Sequence, residues 1–149
     1  MKQTIQTMLR IFLLVILSVF LFLGCEKADD SPIGFEIVPD TVTSTGLAYR
    51  ITRRTESCTF GDDYTLEMQE KGEWLPVPYA ETADMFGFNA VEHILSDSDK
   101  TTEMTADWSL LYGELRPGHY RIVKGFSYGQ PNASGEKITL YAEFDIPSP

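Results

Sequence analysis

Cysteine is scarce in this chain: Cys25 and Cys58 are the only two in 149 residues. A framework of disulfides is therefore excluded, and an apolar core must hold whatever fold forms. Basic residues are also few, 12 Lys and Arg against 22 Asp and Glu. Lys2 and Arg10 are the only charges before Cys25, so 10 bases face 22 acids beyond Gly24, a net charge of −12. That balance argues against nucleic acid as a partner, which needs a basic face. It also argues against peripheral adhesion to anionic lipid. Histidine occurs twice, at His93 and His119, and neither has the spacing to Cys, His or carboxylate of a zinc site. There is no G-x-S-x-G elbow for a nucleophilic serine. No catalytic residue, metal ligand or cofactor is assigned, and the chain reads as a non-enzyme. Asp62-Asp63 and Asp97-x-Asp99 do not follow the EF-hand spacing and read as turn chemistry.

Long apolar runs are limited to Ile11–Leu23, thirteen residues interrupted only by Ser18. A membrane-spanning helix needs about 20. A basic start, a short apolar stretch and Gly24 before Cys25 describe a secretory leader, helical over residues 1–24. The alternative is a signal-anchor helix extended backward through Met8 and Leu9. Leu21-Phe22-Leu23-Gly24-Cys25 resembles the bacterial lipobox, with Phe22 where that motif usually has leucine. The resemblance implies cleavage before Cys25 and a diacylglycerol on its thiol. Each buried CH₂ of the acyl chains contributes about 0.8 kcal/mol of membrane affinity. The expected location is extracytoplasmic, lipid-anchored to the outer face of the cell membrane. Residues 25–34 then form the lipidated Cys and an acidic tether. Its nine residues after Cys25 span about 30 Å at most, at ~3.3–3.6 Å each. Cys58 is left without a partner, as a buried small hydrophobe or an exposed thiol in the loop Thr55–Asp63.

Residues 35–149 are expected to make one domain. Eight strand-like runs follow in order: Phe35–Val38, Leu47–Arg54, Asp63–Gln69, Trp74–Val77, Phe88–Leu95, Thr101–Trp108, His119–Tyr128 and Lys137–Ile146. Phe88–Leu95 is also compatible with a short helix. Lys137–Ile146 alternates most cleanly, with Ile138, Leu140, Ala142, Phe144 and Ile146 on one face. Pro76 and Pro78 place Trp74–Val77 at a sheet edge. Short strands at turn-marked spacing predict an all-β antiparallel sandwich of about seven to eight strands. Trp74 and Trp108 are both expected in its core.

Residues 107–124, DWSLLYGELRPGHYRIVK, carry the most specific signal. Pro117-Gly118 turns the chain just before Tyr120, where a β-sandwich places the tyrosine corner, a hydroxyl bonding back to the connection upstream. Phe60-Gly61-Asp62-Asp63-Tyr64-x-Leu66, Gly72-x-Trp74-x-Pro76-Val77-Pro78, Asp107-Trp108, Tyr112-Gly113-x-Leu115 and Pro117-Gly118-x-Tyr120-Arg121-Ile122-Val123-Lys124 together resemble the bacterial immunoglobulin-like domains of lipoproteins and membrane proteins. The resemblance covers roughly Phe35 to Ile146. It implies an immunoglobulin-like sandwich and no catalytic residue. The expected role is a surface lipoprotein that binds a protein or glycan partner or stabilises a neighbour in the envelope. The alternative is a sensory or regulatory accessory to a membrane-bound partner.

Overall fold

Nine strands and no α-helix occur among the described residues of the computed structural model, which are 30–81, 83, 86–129 and 135–148. Residues 1–29, and with them the leader and Cys25, lie outside this set, as does Asn132, which heads a sequon-like triplet. The strands are β1 (Ile33–Ile37), β2 (Gly46–Arg53), β3 (Cys58–Gly61), β4 (Thr65–Glu70), β5 (Glu73–Pro76), β6 (Glu92–Leu95), β7 (Thr101–Asp107), β8 (Gly118–Tyr128) and β9 (Glu136–Ile146). All pairings are antiparallel. One sheet has the order β1-β2-β7. The other is built on β8, with β9 on one side and β4 and β3 in tandem on the other; β5 lies outside β4 and β6 outside β3. This second sheet is thus four strands wide and the first only three.

The sandwich expected from the alternation is the fold found, with one strand more than the range given. The stretch Thr55–Asp63, expected as a loop, contains β3 at its centre. Of Phe88–Leu95 only Glu92–Leu95 is strand. The β4–β5 turn is a two-residue hairpin in which Lys71 (φ 52°) and Gly72 (φ 87°) are both left-handed, the type I′ geometry that suits strand twist. That turn sets the register Gln69 opposite Trp74.

The core follows period 2 in each strand. Leu47, Tyr49 and Ile51 of β2 point inward, as do Cys58 and Phe60 of β3, and Tyr120, Ile122 and Phe126 of β8. Cys58 is a fully buried free thiol, and burial raises its pKa. The start of β1 pairs with the end of β2. Gly129 N–H bonds Ser57 O at 3.1 Å, so the β2–β3 and β8–β9 connections lie at that same end. The β4–β5 turn and residues 108–117 lie at the other.

Candidate functional site

The far end of the sandwich is closed by stacked rings. Trp108, wholly buried, stacks on Phe144 with centroids 5.6 Å apart, and Phe144 stacks on Tyr120 at 5.7 Å. The Trp108 indole N–H donates to Ser44 O at 2.9 Å. Tyr120 Oη donates to the Arg116 carbonyl at 2.9 Å, tying the start of β8 to the connection before it. Gly118 lies directly against that ring: a Cβ there would stand 3.2 Å from Tyr120 Cε2. Pro117 and Gly118 therefore shape the turn that brings Arg116 O over the hydroxyl. A recess of about 550 Å³ opens beside it, walled by Met68, Leu75, Val77, Tyr112 and Leu115, with Glu70 and Arg116 paired at its rim.

Trp74 is not part of this core. Hairpin register turns it to the outer face of the four-stranded sheet, where it is half-buried. There the Arg121 guanidinium lies between two rings, 4.4 Å from the Trp74 centroid and 4.6 Å from that of Tyr141, and its charge is met by Glu67. Such stacking is worth about 0.5–1 kcal/mol per pair where water reaches it. His119 adjoins Trp74 (5.4 Å) and bridges Asp145 (2.7 Å) and Glu143 (3.1 Å). The bond to Asp145, more than that to Glu143, raises its pKa.

The next feature was missed in the sequence. Between the pairs Thr59–Ser127 and Thr65–Val123, five residues (60–64) face three of β8 (124–126). This two-residue excess breaks the strand that β3 and β4 would otherwise form. Lys124 fills the break from the inward face of β8, only 1% exposed, and Nζ donates to Gly61 O (2.6 Å) and Asp63 O (2.8 Å). Its ammonium also stands 5.8 Å from the ring of Tyr49 and 5.6 Å from that of Phe60. Burial lowers its pKa, opposed by the fields of Asp63 and Asp62. The only signal in the sequence was its parity, since Lys124 shares a face with Tyr120, Ile122 and Phe126.

Beside the break, a second recess of about 360 Å³ lies between β7 and the coil at Phe86–Asn89. Tyr49 and Tyr64 line it; burial first, then the charges of Asp62 and Asp63, pushes the Tyr49 hydroxyl up to about 12. Phe86, Phe88 and Leu110 are 42%, 36% and 55% exposed along it. Asp62, which also lines it, bonds His93 Nε2 at 2.7 Å. Among the described residues no group of three or more His, Cys, Asp or Glu is gathered for a metal. The structure brings Tyr120, Trp108, Pro117 and Gly118 to one end, and leaves Trp74 on another surface; Cys25 lies outside the described residues.

The two facing antiparallel sheets, with β8 at the centre of the wider one, define an immunoglobulin-type sandwich. The chain belongs to the bacterial Ig-like domain family, whose model matches residues 33–145, from the first residue of β1 to the penultimate residue of β9. No curated protein and no solved structure matches it.

Proposed function

We infer that this is a membrane-anchored, extracytoplasmic lipoprotein whose Ig-like sandwich serves as a non-enzymatic binding or structural module of the bacterial envelope. Residues 1–24 are its leader, residues 25–34 the lipidated Cys25 and its tether, and residues 35–149 the working domain. The observation that carries binding is the uncovered aromatic recess beside β7: Phe86, Phe88 and Leu110 meet solvent there, against the usual preference for burial. A protein partner fits this recess, and the Tyr141 ring, 56% exposed and stacked on one face by Arg121, offers its other face for a glycan to stack on.

The second reading, a sensory or regulatory accessory to a membrane-bound partner, is favoured by the tether. About 30 Å of chain holds the domain within one domain length of the bilayer. Crosslinking on intact cells, followed by capture of the lipidated full-length protein, separates the two. An integral-membrane protein as the main product supports the accessory role. A soluble protein or an envelope polymer supports the binding module. A chain that crosslinks to nothing from either source would count against both.

A further inference from the structure

Sheet edges are the place to look for an unmet partner, because each presents a row of unpaired backbone groups. Here the edges differ in how they are protected. Beyond β4, β5 is four residues long and carries Pro76, with Pro78 close behind. On the other side, β9 lies along β1. β6 is an edge of only four residues, EHIL, whereas β7 has seven, TTEMTAD, with no proline, no lysine and an unbroken register from Thr101 to Asp107 against β2.

The backbone bonds state which way β7 points. Trp108 N–H bonds Thr45 O (2.9 Å) and Arg53 N–H bonds Lys100 O (2.8 Å), at the two ends of that ladder. With continuous register, the narrow pairs are then 106–47, 104–49 and 102–51. Thr101, Glu103, Thr105 and Asp107 therefore turn both N–H and C=O toward the open side. Tyr64 Oη already donates to Asp107 O at 3.1 Å. Thr101, Glu103 and Thr105 make no other backbone–backbone bond outside the ladder among the described residues, and neither do residues 87–90 across the recess.

These facts converge on one place. The three-stranded sheet is one strand narrower than the sheet it faces, the narrow side ends at β7, and the recess of about 360 Å³ lies along the Met104–Asp107 part of that edge. Its lining is mostly aromatic and aliphatic, with Asn89 and Thr105 polar; its charged members are Asp62 and Asp107, and it contains no basic residue. We propose that β7 accepts an extended peptide segment of a partner protein as a fourth strand, one whose side chains alternate apolar and basic. The apolar set would cover Phe86, Phe88 and Leu110. The basic set would stand beside Asp107, which also lines the recess, and beside Glu103, whose carboxylate it would share with Arg50 (2.6 Å). Main-chain bonds to Thr101, Glu103 and Thr105 supply register and the alternate side chains supply selectivity, as in β-strand addition generally. This rests on the binding-module reading and names the chemistry of its partner.

The test uses the full-length protein in detergent micelles and a capped synthetic heptapeptide of alternating valine and lysine. Amide exchange at Glu103 and Thr105 is expected to slow at least about tenfold on binding, with β2 and β9 unchanged. N-methylation of alternate peptide residues is expected to weaken binding by about tenfold or more, and so is exchange of its lysines for glutamates. Thr105→Pro removes one open-side N–H without touching the β2 ladder and is expected to do the same; unchanged exchange in β2 verifies that the variant is folded. An absent complex, or affinity indifferent to N-methylation or to Thr105→Pro, overturns the proposal. So does self-association that Thr105→Pro abolishes, which would assign the edge to a second copy of this chain. The wider reading fails separately, when intact-cell crosslinking of Thr105→Pro and of the unaltered protein alike yields nothing.

Discussion

Lys124→Met is the most informative single substitution in the sandwich. Methionine keeps most of the apolar stem and deletes the ammonium that holds Gly61 O and Asp63 O. These carbonyls sit where residues 60–64 outnumber the β8 residues opposite them, so no strand neighbour replaces the lysine. Leaving a buried acceptor unpaired costs about 1–3 kcal/mol, or roughly 2–6 for the two. Against this, the variant is freed from burying a charge, a penalty of several kcal/mol that the lowered pKa of Lys124 registers. The net expectation is a loss of about 1–4 kcal/mol, a large part of a domain stability of about 5–15.

Urea unfolding, with one midpoint and slope for each protein, measures the loss. The pH dependence carries a second signature. The native pKa lies below the ordinary 10.5, so between the two values the unfolded chain binds more protons than the native one. Stability from this group therefore rises with pH in that window, and the gap between the unaltered protein and Lys124→Met should widen as pH climbs toward 10.5. A variant as stable as its parent at every pH would refute the idea that Lys124 repairs the broken strand.

Three other expectations follow. Tyr120→Phe removes the hydroxyl bonded to Arg116 O and should cost roughly 0.5–1.5 kcal/mol; an unchanged denaturation midpoint argues against the corner. His119 has a raised pKa, so its contribution is full below its unfolded value near 6.5 and disappears as pH rises through the higher native one. His119→Gln should therefore lower the midpoint more at about pH 5.5 than at about pH 8.5, by less than about 1 kcal/mol because the pair is solvent-screened; equal losses at both would contradict the assigned bridge. In a Cys25→Ser chain, thiol titration should find Cys58 slow while folded and fully reactive when unfolded without reductant; no thiol in the unfolded monomer would overturn its assignment as free.

Strand periodicity was legible wherever a strand was long. The alternation in β9 placed a strand that tertiary contacts then had no reason to override. β3 was hidden because it is four residues long and flanked by Ser57 and Asp62-Asp63, which read as turn residues. Its strand character comes from β6 and β8 on either side, a non-local cause. Trp74 was misplaced for a related reason. Aromatic character favours burial, but the type I′ turn decided parity and put Leu75, not Trp74, on the inward side. Lys124 broke the apolar pattern of β8, and its partners are main-chain carbonyls some sixty residues earlier, which no local pattern encodes. The open edge of β7 became visible only with the sheet order, because a strand lacking a neighbour has the same sequence as a paired one.

Anchoring through Cys25 underlies the whole functional account, and fatty-acid labelling tests it directly. Cells expressing the full chain would be fed an alkyne-tagged fatty acid, and the protein recovered from membrane and soluble fractions. The account predicts a labelled, membrane-bound product shortened by the 24-residue leader, and in Cys25→Ser an unlabelled precursor that keeps it. Undiminished labelling of Cys25→Ser, or an unaltered protein that carries no label, would contradict the account.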